Sequence, residues 1–212
     1  MNISSKKSSL QTTTAKIMGI SRHRMATDGT GITTSVGCAG CSLTCKYCIN
    51  DYCHINEGEE YTAKDLLEYV GIDDIYFRMS NGGITFGGGE PLLQSKFIQY
   101  FASIIPKYWK LNIETCFYVP WDNIEPLIPF VDKWIIDIKD LNPDIYLKYT
   151  GKDINILNNN LSKFNTVADH EKIIFRVPII TGYNTFNDSL ESIRKLKNFN
   201  SEVDYFKYYI IK

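Results

Sequence analysis

Short runs of β-branched and aromatic residues alternate along this chain with longer stretches of helical periodicity, and this alternation restricts the fold more than any other feature. Six runs are predicted to be strands: 31–37, 83–86, 111–115, 133–139, 173–180 and 204–211. Such alternation favours parallel pairing through right-handed crossovers. Six strand–helix units are fewer than the eight of a closed barrel. We therefore predict an α/β fold, an open partial (βα)6 barrel in a single domain.

The stretches between the strands predict the helices and the domain boundary. Helices are expected at 62–79, 92–106, 121–130, 142–150, 156–164 and 187–199. Residues 1–15 are polar and rich in Ser, Thr and Lys, so we expect a flexible lead-in before one domain over 16–212. A chain of 212 residues buries enough surface to fold without disulfide bonds.

Charge and hydropathy exclude several classes of protein. The formal net charge of −1 argues against a nucleic-acid binder, which usually carries a basic excess. No apolar run approaches the ~18–20 residues that span a bilayer, and the start of the chain lacks the apolar core of a signal peptide. We therefore expect no membrane association and a cytoplasmic location, where thiols stay reduced. Six cysteines in such a chain require a chemical explanation.

Five of the six cysteines lie between residues 38 and 53, and three of them have the spacing Cys-x3-Cys-x2-Cys. In one interpretation Cys41, Cys45 and Cys48 hold an iron–sulfur cluster and leave one iron open to an external ligand, with Cys38 and Cys53 as bystanders. In a second, Cys38, Cys41, Cys45 and Cys48 form a four-thiolate zinc knot. In a third, the cysteines are buried small hydrophobic residues.

Polar residues collect where the predicted strands end. Glu90 follows the second strand, and Glu114, Asp137 and Lys139 lie in the third and fourth. Ligands bind at the carboxyl ends of parallel strands, and the cysteines follow the first strand at the same edge. The glycines at 87–89 expose backbone groups to a small polar ligand, although a tight turn with a solvated Glu90 is the alternative.

The combination of these motifs resembles a known family. Cys-x3-Cys-x2-Cys with an aromatic residue before the last cysteine, followed later by Gly-Gly-Glu, is similar to the radical S-adenosylmethionine (SAM) superfamily. Further segments resemble the glycyl-radical-enzyme activating enzymes, of which pyruvate formate-lyase activating enzyme is one kind: 28–34, 73–78, 82–93, 114–116, 118–121, 137–139 and 149–151. The resemblance covers roughly residues 17–211.

The resemblance implies the cofactors and the residues that hold them. Cys41, Cys45 and Cys48 would bind a [4Fe–4S] cluster whose fourth iron takes SAM. The residues expected around SAM are Tyr47, Gly88, Gly89, Glu90, Glu114, Asp137, Ile138, Lys139 and Arg176. Some relatives place a monovalent cation by the SAM carboxylate, for which Glu114 and Asp137 could supply oxygens. Salt bridges from Lys139 and Arg176 to these carboxylates are an alternative role, compatible with the first.

The implied activity is reductive cleavage of SAM to a 5′-deoxyadenosyl radical, which takes a hydrogen atom from a glycine of a partner glycyl-radical enzyme. A flavodoxin or ferredoxin would supply the electron. No general acid or base is needed, since the cofactor carries the chemistry, so no catalytic side chain is predicted. The alternatives are a radical SAM enzyme acting on a small molecule or peptide, and a zinc-binding interaction module.

Two departures from the family pattern have structural consequences. Many relatives carry a ferredoxin-like insertion after the first cysteines, and residues 50–61 are too few for one. Many relatives also have Thr-Cys-Gly where this chain has Thr115, Cys116 and Phe117. Cys38, Cys53 and His54 fall outside the pattern and are given no role.

Overall fold

The computed structural model describes residues 13–25, 27–55 and 57–208. The strands are β1 (Thr14–Met25), β2 (Ile32–Cys38), β3 (Glu59–Thr62), β4 (Gly83–Gly88), β5 (Lys110–Thr115), β6 (Lys133–Asp137), β7 (Ile173–Ile180) and β8 (Glu202–Tyr208). The helices are α1 (Ala63–Gly71), α2 (Asp74–Ser80), α3 (Ser95–Ile104), α4 (Pro143–Thr150), α5 (Asn155–Val167) and α6 (Phe186–Lys195).

The eight strands form one open sheet in the order β3-β1-β2-β4-β5-β6-β7-β8. From β2 to β8 every neighbouring pair is parallel, which confirms the predicted six-stranded partial barrel. β1 pairs antiparallel with β2 and with β3, and neither of these two strands was predicted. Only Ala15 and Ile17 of β1 are buried, so its sequence lacks the apolar run that identifies a core strand.

The predicted helix at 121–130 is wrong. Two 3₁₀ turns, Trp121–Asn123 and Glu125–Leu127, occupy it. Pro126 explains the difference, because it lies in the interior of the predicted helix and has no backbone N–H to donate to the preceding turn. The predicted helix at 62–79 is divided into α1 and α2, since the chain turns at the fully buried Asp73 between them.

The predictions for the two ends of the chain fall partly outside the described residues. Residues 1–12 of the expected lead-in are among those not described, and β1 already begins at Thr14. The predicted last strand, 204–211, is described as far as Tyr208. Within the described part of the chain, every helix is too short or too polar to cross a bilayer.

Alternation along the strands separates an apolar outer face from a polar inner face. Phe86 of β4 packs on Phe97 and Phe101 of α3, at ring distances of 6.3 and 5.4 Å. Phe164 of α5 packs on Trp134 of β6 at 5.2 Å. The alternate side chains along each strand point the other way, toward the concave side of the sheet. The helices therefore cover one face, and the inner face is left to form a cavity.

Candidate functional site

A cavity of about 750 Å³ lies at the carboxyl ends of the parallel strands, the edge predicted to bind a ligand. This volume is within the range of small-molecule sites. Nine of the predicted site residues line it: Cys41, Cys45, Cys48, Gly88, Gly89, Glu114, Asp137, Lys139 and Arg176. Tyr47, Glu90 and Ile138 do not line it. The sequence therefore placed most of its predicted site residues correctly at the cavity, but it did not identify the part of the wall that β1 contributes, such as Met18 and Arg24.

The loop after β2 brings three half-buried thiols to one side of this cavity, those of Cys41, Cys45 and Cys48. The backbone holds the loop against the end of α4. The Thr44 N–H donates to the Thr150 carbonyl at 2.9 Å, and the Lys46 N–H donates to the Tyr149 carbonyl at 3.1 Å. The position of the thiols is therefore determined by a neighbour that lies about a hundred residues away in sequence.

Cys38 does not belong to this group. Its side chain is fully buried at the end of β2, and it does not line the cavity. Burial, with a smaller contribution from Glu90, raises the pKa of the Cys38 thiol far above its usual value. Among the described residues, the set of donors that lie within 4.8 Å of one another contains Cys48 but not Cys38, Cys41 or Cys45. The arrangement therefore disfavours the four-cysteine zinc knot.

Glu90 is a fully buried carboxylate with a full set of hydrogen bonds. Its Oε1 accepts from the Leu92 N–H at 3.0 Å and from the Thr115 hydroxyl at 2.7 Å. Its Oε2 accepts from the Cys116 N–H at 2.9 Å and from the Cys116 thiol at 2.8 Å. Burial nevertheless raises the pKa of Glu90. Glu90 thus joins the end of β4 to the end of β5 and supports the cavity from behind.

Cys116 connects this buried carboxylate to the cysteine loop. The thiol is buried, and it lies 3.8 Å from the Ser42 hydroxyl of that loop. Hydrogen bonding with Cys116, opposed by burial, lowers the pKa of the Cys41 thiol to about 7. Burial raises the pKa of Cys45 to about 11, although Lys139 opposes the rise. Cys41 is therefore the more readily ionised of these two thiols.

Two of the ion pairs in the cavity are those that one interpretation of the sequence predicted. Arg176 Nη1 lies 2.6 Å from Glu114 Oε1, and Lys139 Nζ lies 2.9 Å from Asp137 Oδ2. Burial and the neighbouring Asp137 raise the pKa of Glu114 to about 7, against the effect of Arg176. Each carboxylate already has a cationic side chain beside it, so a monovalent cation here would compete with Arg176 and Lys139.

Phe117 occupies the position where the resemblance predicted glycine. Its φ of 61° lies in the left-handed region, which favours glycine. Its ring packs on Phe164 at 4.9 Å and on Trp134 at 6.2 Å, and its carbonyl accepts from Asn160 Nδ2 at 2.9 Å. Core packing of the ring therefore offsets the backbone cost at this position.

The chemistry of the cavity fits an iron–sulfur cluster with a small polar ligand. The three thiols on one wall are soft donors of the kind that iron–sulfur clusters use. Gly88 and Gly89 bring bare backbone to the wall, and an added Cβ on Gly89 would lie 2.1 Å from the Gly40 carbonyl oxygen. Charged groups of both signs lie on the same wall, where an amino acid's ammonium and carboxylate could be paired.

The chain belongs to the radical SAM superfamily, whose family model matches residues 36–211. This confirms the resemblance, and with it the cofactors of the family, a [4Fe–4S] cluster and SAM. SuiB of Streptococcus suis shares the fold, with a TM-score of 0.64 and 15% identity over 84% of this chain and 39% of that one. QueE of Escherichia coli has a TM-score of 0.53 and 12% identity over 97% of this chain and 100% of that one.

Curated relatives are activating enzymes, as the resemblance predicted. The pyruvate formate-lyase-activating enzyme of Clostridium pasteurianum is 35% identical over 81% of this chain and 70% of that protein. The (2S)-3-sulfopropanediol dehydratase activating enzyme of Klebsiella oxytoca is 34% identical over 64% of this chain and 42% of that protein. The trans-4-hydroxy-L-proline dehydratase activating enzyme of Clostridioides difficile is 30% identical over 67% and 47%. The chain thus spans less than half the length of two of these three relatives.

Three tyrosines line the cavity although they were not predicted: Tyr52, Tyr149 and Tyr208. The Tyr208 hydroxyl donates to the Tyr47 carbonyl at 2.6 Å. This bond fixes the loop between Cys45 and Cys48. Tyr149 begins the segment 149–151 that resembles the family, whereas Tyr208 was known only to lie in the last predicted strand, and a strand position alone does not predict which loop a side chain reaches.

Proposed function

We propose that this protein cleaves SAM reductively and delivers the resulting radical to a glycine of a partner glycyl-radical enzyme. The observation that carries the proposal is that three half-buried thiols and the two charge pairs line one cavity at the strand ends. When bound, the [4Fe–4S] cluster supplies the electron that breaks the C5′–S bond of SAM. Cys41, Cys45 and Cys48 are the residues that would hold it.

The charged residues of the cavity would bind and orient the amino-acid end of SAM. Lys139 and Arg176 can pair with its carboxylate, and Asp137 and Glu114 with its ammonium or ribose hydroxyls. Because the four side chains are already paired with one another, SAM would enter by exchanging partners within a neutral set. The bare backbone of Gly88 lets the ligand approach the strand end closely.

Two predicted contact residues, Glu90 and Ile138, would act from outside the wall. Glu90 would position the strand ends through its hydrogen bonds with Leu92 and Cys116. The Ile138 N–H donates to the Arg176 carbonyl at 2.8 Å, which sets the backbone between Asp137 and Lys139. A contact of Tyr47 with SAM stays a prediction.

A protein partner suits the open form of the sheet. β3 and β8 are its two edges, so the strands do not close around the cavity. An extended glycine-bearing loop could enter there, whereas a closed barrel would exclude it. The curated relatives named above are activating enzymes, which favours a protein substrate over a small molecule or peptide. A flavodoxin or ferredoxin as electron donor and a cytoplasmic location complete the proposal.

Cleavage of SAM to 5′-deoxyadenosine under dithionite tests the chemistry. Wild-type protein, reconstituted without oxygen, should turn over, and Cys45→Ala should lose both turnover and bound iron and sulfide. Cys38→Ala is the matched control, because that thiol is buried away from the cavity and its removal should leave the iron content unchanged. Equal turnover in wild type and Cys45→Ala would contradict the assignment of the cluster.

A separate experiment tests the partner. Reduced protein is mixed with SAM and a candidate glycyl-radical enzyme, and an electron paramagnetic resonance spectrum is recorded. The doublet of a glycyl radical supports the proposal. SAM cleavage that proceeds with no such doublet for each candidate partner would favour the small-molecule or peptide substrate.

A further inference from the structure

A second set of metal-ligating side chains lies beside the cysteine loop. Cys48 Sγ, Cys53 Sγ and a ring nitrogen of His54 all lie within 4.8 Å of one another. Cys53 and His54 belong to a 3₁₀ turn, Asp51–Ile55, that follows the loop directly. Neither residue was given a role by the sequence, and neither belongs to the three cysteines proposed to hold the cluster.

The turn holds these donors in place through its backbone. The Cys53 carbonyl accepts from the Gly40 N–H at 2.9 Å, and the Cys53 N–H donates to the Asn50 carbonyl at 2.9 Å. Asn50 Nδ2 in turn donates to the Gly88 carbonyl at 3.1 Å. The turn is therefore attached both to the start of the cysteine loop and to the end of β4.

The three donors differ in exposure in a way that suits an ion arriving from solvent. Cys53 is fully buried, Cys48 is half-buried and His54 is exposed. The two sulfurs thus form an inner part of the set, and the imidazole lies on its solvent side. An ion can reach the set from outside, and His54 can turn onto it without a change in the core.

The spacing is close to that of a transition-metal site. For three donors at most 4.8 Å apart, the central point lies within ~2.8 Å of each, against Zn–S and Zn–N bonds of about 2.3 and 2.0–2.1 Å. Shifts of well under ~1 Å per donor would complete such a site. Two thiolates and an imidazole are soft and borderline donors, which select Zn²⁺ over Mg²⁺ or Ca²⁺.

We propose that the cluster-free protein binds one Zn²⁺ through Cys48, Cys53 and His54, with water in the fourth position. The two thiol protons pass to solvent as the metal binds. This set shares only Cys48 with the zinc knot considered from the sequence. Because Cys48 also belongs to the proposed cluster set, zinc and the cluster exclude each other. That last step rests on the proposed function, whereas the zinc site itself does not.

A titration of the cluster-free protein tests the site. Wild-type protein, kept free of oxygen with its thiols reduced, is titrated with Zn²⁺ against a chromophoric chelator, and with Co²⁺, whose absorption reports thiolate ligands in tetrahedral geometry. We expect one tight site in wild type and its loss in Cys53→Ser and in His54→Ala. Cys45→Ser is the matched control and should keep the site. His54 is exposed, so His54→Ala keeps the test valid even if Cys53→Ser fails to fold.

Three other results of this titration would each overturn the proposal. A wild type without a stoichiometric site would do so, and so would binding that survives both Cys53→Ser and His54→Ala. Loss of zinc in Cys45→Ser with retention in His54→Ala would assign the metal to the loop cysteines alone.

The exclusion of the cluster is read separately, from the visible absorption that develops on reconstitution with iron and sulfide. Zinc added first should block this absorption in wild type but not in His54→Ala. Equal formation of the cluster in both would refute the competition. None of these readouts involves SAM, so their failure leaves the test of the proposed function unaffected.

Discussion

Replacing Glu90 with glutamine should destabilise the fold although it changes little in shape. Each carboxylate oxygen accepts a backbone N–H, Oε1 from Leu92 and Oε2 from Cys116. An amide has one oxygen, and its nitrogen has no lone pair to accept with. Whichever way the amide turns, one of the two buried N–H groups loses its acceptor and faces another donor.

The free-energy cost of Glu90→Gln follows from the one buried N–H group that loses its acceptor. A buried donor left unsatisfied costs about 1–3 kcal/mol, so we expect Glu90→Gln to lower the free energy of unfolding by about that amount. With a urea m-value of about 3 kcal/mol/M, the midpoint should fall by roughly 0.3–1 M. The loss is a substantial part of the roughly 5–15 kcal/mol that stabilises a typical domain.

Urea denaturation of the cluster-free protein, followed by circular dichroism with thiols reduced, measures the effect. Glu68→Gln is the control, because Glu68 is exposed on α1 and its substitution should change stability by less than about 0.5 kcal/mol. An unchanged midpoint for Glu90→Gln would refute the argument that both oxygens are needed as acceptors.

Three further predictions concern the cavity. The pKa of Glu114, about 7, lies above its ordinary value of 4.5, so the contribution of Glu114 to stability is full below pH 4.5 and is lost as the pH rises through 7. Glu114→Gln should therefore flatten the fall of the urea midpoint between pH 5 and 8. An unchanged slope of midpoint against pH would contradict this. Gly89→Ala puts a Cβ 2.1 Å from the Gly40 carbonyl oxygen and should sharply lower the iron bound after reconstitution, whereas normal iron would show that the loop can move. Tyr208→Phe removes the bond to the Tyr47 carbonyl and should cost about 0.5–1.5 kcal/mol in thermal unfolding, with faster loss of iron to a chelator; wild-type values for both would exclude the anchoring role.

The sequence alone determined the parallel part of the sheet and the part of the cavity wall that lies at the ends of its strands. Apolar runs such as Ile173–Ile180 identify strands covered on both faces, because local periodicity reports burial directly. Parallel pairing then brings strand ends to one edge, so Glu114, Asp137 and Lys139 could be placed together before any contact was known. The spacing of Cys41, Cys45 and Cys48 added the chemistry.

Tertiary structure alone decided what each side chain does at that edge. Glu90 was expected to face a ligand, yet its carboxylate is buried beneath the wall and holds two strand ends together. Cys53 and His54 were passed over, although the turn carries them to Cys48. The physical reason is that hydrogen bonds and close contacts act over a few ångströms and join residues far apart in the chain, whereas sequence patterns report only the neighbourhood of each residue.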